Sequence, residues 1–141
     1  MIFVTLGSQK FQFNRLLQAI DRQIESGEIT ESVFAQTGWS DYKPVHYEWT
    51  PFLDREDMDA WVAKADVVIA HGGTGAIVGA LKAGKKVIAV PRLAKYGEHV
   101  DDHQEQITGQ FLGLNMILRC EDCGELSQMI AQAKAQTFRP Y

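Results

Sequence analysis

Cysteine and proline are scarce in this sequence, with two of the first and four of the second among 141 residues. No apolar run approaches the roughly 20 residues that a membrane-crossing helix needs. Met1 leads straight into Ile2-Phe3-Val4, with no basic start and no cleavage site. No signal peptide is therefore expected, and the chain is expected in the cytoplasm. The two cysteines, Cys120 and Cys123, form a single C-x-x-C, and no second Cys or His pair follows at metal spacing. A redox pair would normally sit after the first strand, so these two are read as incidental residues at a strand-to-helix turn, and no metal is expected. Asn-Gly, the strongest tight-hairpin signal, does not occur. Acid is missing from one region. Between Asp66 and Glu98 there is no Asp or Glu, while Lys82, Lys85, Lys86, Arg92 and Lys95 lie there. That stretch is read either as cations on solvated faces or as one patch facing an anion, a membrane or a partner. The net charge of −4 argues against general nucleic-acid binding.

What remains is an ordinary globular composition, 45% apolar and 23% charged, at the length of one domain. Residues 1–136 are read as that domain and 137–141 as a loose tail. Short apolar runs alternate with helical periodicity. Strands are expected at 1–6, 32–36, 45–49, 66–70, 86–90 and 115–118. Helices are expected from the spacing of Phe13, Leu16, Leu17, Ile20 and Ile24, and of Met58, Trp61, Val62 and Ala65 behind an Asp54 cap. Three more follow: 76–83, one marked by Val100, Gln104, Ile107 and Phe111, and a last one capped by Asp122. This alternation predicts an α/β fold, a single Rossmann-like domain whose parallel sheet carries helices on both faces. Ligands of such sheets bind at the carboxyl ends of the strands. The loops at 7–10, 37–43, 50–53, 71–75 and 91–99 are expected to share that edge.

The stretch Val67-Val68-Ile69-Ala70-His71-Gly72-Gly73-Thr74-Gly75 organises the rest. A buried strand feeds a glycine-rich turn that opens a helix. Such a turn lets backbone approach an anion closely, and the helix start presents free N–H groups and a positive dipole end. A diphosphate is the expected ligand. The first loop, Gly7-Ser8-Gln9-Lys10, fails the G-x-G-x-x-G pattern of dinucleotide enzymes, and no acid ends the second strand. No Gly-Lys-Ser or Gly-Lys-Thr supports an adenylate-type phosphate loop.

Four motifs occur in order: Trp49-Thr50-Pro51-Phe52, Ala65 through Gly75, Ala83-Gly84-Lys85-Lys86-Val87-Ile88-Ala89-Val90-Pro91, and Asp102-His103-Gln104. Together they resemble the C-terminal, donor-binding half of GT-B glycosyltransferases of family 28. The short chain resembles the PssE-type subunits of exopolysaccharide glycosyltransferases. It is also similar to the small catalytic subunit of the eukaryotic enzyme that extends dolichol-linked GlcNAc. The resemblance implies a UDP-sugar as substrate, with no cofactor and no metal. It implies a diphosphate site at His71, Gly72, Gly73, Thr74 and Gly75, aided by Ser8. It implies a uracil-reading segment at Thr50, Pro51, Phe52 and Leu53, and donor-sugar contacts from Asp102 and Gln104. Longer family members carry a Glu on the helix after the glycine loop to bind ribose, and that position is Gly79 here.

One domain is half of a GT-B enzyme. The resemblance therefore implies a membrane-anchored, acceptor-binding partner subunit and a lipid-linked sugar acceptor. The chain would sit at the inner face of the membrane through that partner. The general base would come from the other half, with His99 and Glu98 as local candidates. The rival reading is a non-catalytic nucleotide-sugar-binding or regulatory subunit of such a complex.

Overall fold

The computed structural model describes residues 1–141. Strands β1 (Ile2–Thr5), β2 (Val33–Gln36), β3 (Glu48–Thr50), β4 (Val67–His71), β5 (Lys86–Val90) and β6 (Leu118–Arg119) form one sheet in the order β3-β2-β1-β4-β5-β6. Every pairing is parallel. Helices α1 (Asn14–Glu25), α2 (Arg55–Lys64), α3 (Thr74–Lys82) and α4 (His103–Gly113) make crossovers between strands, and α5 (Leu126–Ala135) follows the last strand. The expected architecture is the observed one. The order reverses between β1 and β4, and such a switch point opens a crevice at the carboxyl edge.

The register explains the two-sided core. Ile2 and Val4 point to one face with Val67, Ile69, Ile88 and Val90, where α1 and α5 cover them. Phe3 points to the other with Val68, Ala70, Val87 and Ala89, under α2, α3 and α4. Adjacent residues of a strand face opposite ways, so a strand covered on both sides reads as a continuous apolar run. Trp61 of α2 stacks on Phe34 with ring centroids 3.9 Å apart, and Phe3 lies 6.3 Å from Trp61. That aromatic stack anchors α2, which forms one wall of the crevice.

Several boundaries differ from the sequence reading. The third strand is not 45–49 but Glu48–Thr50. The buried carboxylate of Asp21 on α1 accepts from the backbone N–H of Val45 and His46, both at 2.9 Å, and from the Tyr42 hydroxyl. These bonds pull 42–46 off the sheet and leave Val45 exposed. Val100 is also exposed and lies before α4, which starts at His103. The last strand begins at Leu118 rather than Asn115, because Asn115 takes a left-handed φ of 55° to end α4. Asp54 caps α2 by accepting from Asp57 N at 2.8 Å, as expected. Asp122 instead caps a 3-10 turn over Cys123–Glu125 that precedes α5. The tail is not loose: Arg139 N donates to Asn115 O at 2.8 Å, and Phe138 packs on the core. Cys120 and Cys123 are both buried and free.

The basic stretch does not form one patch. Lys85 and Lys86 lie at the amino edge of the sheet, where their ammonium groups donate to the carbonyls of Ala63, Lys134 and Gln136. Arg92 follows β5 at the opposite edge and is buried.

Candidate functional site: a cleft at the carboxyl edge of the sheet

β4 ends at His71, and α3 begins at Thr74 with Gly73 at its cap. No side chain caps α3. Ile77 N is the first amide to bond back into the turn, at 3.2 Å from Gly73 O. The N–H groups of Thr74, Gly75 and Ala76 are thus free at the positive end of the helix. They open into a cleft of about 530 Å³ between α2 and α3. Thr5 and Val68 line its floor, and Gly7 and Ser8 its mouth.

The loop is held by buried polar residues. Gln104 of α4 is 2% exposed, and its Oε1 accepts from Gly72 N at 2.9 Å and from Arg92 N at 3.0 Å. The accepting atom must be the oxygen, so the amide nitrogen is the one placed 3.2 Å from His71 Nδ1. That nitrogen donates, so Nδ1 accepts and the ring proton sits on Nε2. Nε2 faces Gly7, where an added Cβ would stand 2.6 Å away. Gly7 also has a φ of +71°, so the first loop both turns and approaches His71 here because it carries no side chain. His71 is buried, and burial first, then the charge of Arg92, push its pKa down to about 4. At neutral pH it is a neutral imidazole with one donor aimed at the mouth of the cleft.

Gly72 and Gly73 serve packing as much as access. A Cβ on Gly72 would stand 2.8 Å from Gln104 Cβ, and one on Gly73 would collide with the His71 ring. Gly75 and Gly79 have nothing within 4 Å and face open space.

Arg92 and Gln36 tie the loops together, and the sequence reading missed both roles. The Arg92 guanidinium donates to the carbonyls of Leu6 at 2.6 Å, Phe11 at 3.1 Å and Glu98 at 3.2 Å. Burial pulls its pKa down to about 10, against the opposing effect of Glu98, so it stays charged at neutral pH. Gln36 Oε1 accepts from Thr5 Oγ1, Leu6 N and Gly7 N, while Nε2 donates to the Gly7 and Pro51 carbonyls. The one available signal was position: both are polar residues at strand ends on the ligand edge.

The expected site residues divide. Ser8, His71, Gly73, Thr74 and Gly75 line the cleft, and Gly72 lies just behind it. Thr50, Pro51, Phe52 and Leu53 share the edge but not this cleft. The Thr50 and Pro51 carbonyls accept from Thr37 N and Gly38 N. Phe52 is exposed and meets Trp39 edge-on at 5.8 Å. Gln104 corrects an expectation: it is buried beneath the loop with its amide directed to protein groups, not to a sugar pocket. Asp102 is exposed outside the cleft, and its Oδ1 accepts from Ala94 N at 2.9 Å. Glu98 is fully buried, with both oxygens accepting from the Arg15 guanidinium at 3.0 Å, so it cannot reach a substrate proton. His99 pairs with Asp101 at 3.1 Å and packs against Phe11, away from the cleft.

Fold and site together define a Rossmann-like half of the GT-B glycosyltransferase type. The chain belongs to glycosyltransferase family 28: the model of that family's C-terminal domain matches residues 1–140. It is 26% identical over 99 residues to the UDP-N-acetylglucosamine transferase subunit ALG13 of Debaryomyces hansenii, which covers 70% of this chain and 44% of that protein. The chain thus spans less than half the length of that relative. The solution structure of ALG13 superposes with a TM-score of 0.64 at 17% identity, over 99% of this chain and 87% of that one. MurG of Acinetobacter baumannii gives 0.60 at 18% identity, over 96% of this chain and 45% of that one. No helix is long and apolar enough to cross a membrane.

Proposed function

We propose that the chain is the donor-binding, catalytic subunit of a two-component inverting glycosyltransferase. It would move a sugar from a UDP-sugar to a lipid-linked acceptor in polysaccharide biosynthesis. A membrane-anchored partner would supply the acceptor half and hold the chain at the inner membrane face. The observation that carries this reading is the uncapped start of α3, three free N–H groups beside the His71 donor at one cleft. Glycosyl transfer leaves negative charge on the departing diphosphate. Preoriented donors stabilise that charge as it forms, and losing one of them typically costs about 3 kcal/mol in activation energy. A neutral His71 donates without a bound proton having to be lost or gained. The backbone of Phe52 and Leu53 makes no hydrogen bond within the chain and would read the uracil edge. The similarity to a subunit of a UDP-N-acetylglucosamine transferase supports both the donor class and the need for a partner.

The non-catalytic alternative draws on Glu98 and His99, which the fold commits elsewhere, so that neither serves the cleft as a general base. In the two-component reading the partner would supply that base. Titration calorimetry of the chain with UDP, UDP-N-acetylglucosamine and NAD tests the donor reading. Binding of both uridine ligands is expected. Binding of NAD with no response to UDP would overturn it. Sugar transfer that survives loss of the α3 donors in the assembled complex would favour the non-catalytic alternative.

A further inference from the structure

The α3 wall lacks the acid that the family resemblance implies for ribose, and the inference drawn from the facing wall rests on the UDP-sugar reading above. The α3 wall is bare: Gly75, Ala76, Gly79 and Ala80 carry at most a methyl group. A Cβ at Gly79 would meet nothing within 4 Å, so the glycine is not required by packing. The facing wall belongs to α2, and there Arg55 and Asp59 line the same cleft. Asp59 is exposed, and its side chain makes no hydrogen bond or ion pair with the rest of the chain, Arg55 included.

Depth along the walls matches. Both helices follow strands and start at the carboxyl edge of the sheet. Asp59 is the fifth residue of α2 and Gly79 the sixth of α3. At about 1.5 Å per residue both lie roughly 6–8 Å below the helix starts. A nucleotide whose phosphates rest on the first turn of α3 places its ribose about one turn deeper, between these positions. Met58, Val62 and Val68 supply apolar surface beside it.

We propose that Asp59 is the ribose-reading residue of this chain. Its carboxylate accepts hydrogen bonds from the vicinal 2′ and 3′ hydroxyls, from the wall opposite the one that Gly79 leaves empty. The charge-assisted geometry selects ribonucleotides over deoxyribonucleotides.

The test is calorimetry of the full chain with UDP and with 2′-deoxy-UDP. Wild type is expected to prefer UDP by roughly tenfold or more, the range of one hydrogen bond to a charged group. Asp59→Asn keeps only a neutral acceptor and should reduce that preference to a few-fold at most, with an unchanged melting temperature because the side chain has no partner to lose. Asp59→Asn combined with Gly79→Glu should regain the preference. An Asp59→Asn protein that still prefers UDP as strongly as wild type overturns the inference while leaving the donor site intact. So does a wild type that binds both nucleotides equally. A wild type that binds neither nucleotide overturns the donor-site reading itself, and the two failures are thereby distinguished.

Discussion

Gln104 fixes the protonation of His71: its amide nitrogen sits 3.2 Å from Nδ1, and its oxygen is already held by Gly72 N and Arg92 N. A residue on α4 therefore decides which ring nitrogen of a β4 residue can donate. Gln104→Ala leaves two buried N–H groups without an acceptor, each worth about 1–3 kcal/mol. Stability should fall by about 2–6 kcal/mol in urea denaturation. Affinity for UDP and for UDP-N-acetylglucosamine should fall together. Retained UDP binding with selective loss of the sugar nucleotide would return Gln104 to the sugar pocket.

The glycines of the loop separate into two kinds. Gly73→Ala drives a methyl into the His71 ring and is expected to destabilise the fold by about 1–3 kcal/mol, as overpacking does. At Gly75→Val the new Cβ has no protein atom within 4 Å, and the side chain stands over the free N–H groups of α3. The variant should keep the wild-type melting temperature and weaken UDP binding at least about tenfold, the scale of a hydrogen bond to a charged group. Thermal melts and calorimetry on the two variants check this, and equal destabilisation of both would show that Gly75 too is held for packing.

Acid should weaken the fold through His71. Its folded pKa of about 4 lies below the ordinary 6.5, so between these values the unfolded chain binds the proton more readily. The contribution is complete above pH 6.5 and disappears as the pH drops through 4. A shift of this size corresponds to about 3 kcal/mol. Denaturant unfolding at pH 7, 5.5 and 4.5 should show wild type losing more stability than His71→Asn over that window. Parallel losses would mean that other groups carry the acid sensitivity.

Glu98 is predicted to be structural. Arg15→Met strands a fully buried carboxylate, and breaking a buried pair this way costs about 3 kcal/mol or more. In the proposed two-component enzyme, Glu98→Gln should keep transfer activity within a few-fold, whereas loss of a general base costs about a hundredfold or more. A hundredfold fall in kcat with normal stability would restore Glu98 as the base.

The parts legible in the sequence were those whose cause is local. β1, β4 and β5 are apolar runs buried on both faces, and a glycine turn after β4 marks where a helix starts. The edge strand β3 was misplaced because Asp21, on a helix 24 residues earlier, claims the N–H of Val45. Arg92 looked like part of a basic surface because charge alone does not reveal burial. Only the β5 crossing, five residues at about 3.3 Å each, carries it away from Lys85 and Lys86 to the opposite edge of the sheet. Gln104 matched a motif position, yet its neighbours in space, Gly72 and Arg92, decide what its amide touches.

Both borders of the sheet are short, three residues at β3 and two at β6. Few main-chain groups are left there to template another strand, a common defence against edge-to-edge aggregation. Any assembly this chain enters is thereby steered away from sheet extension and toward its helical faces and the loops around the cleft.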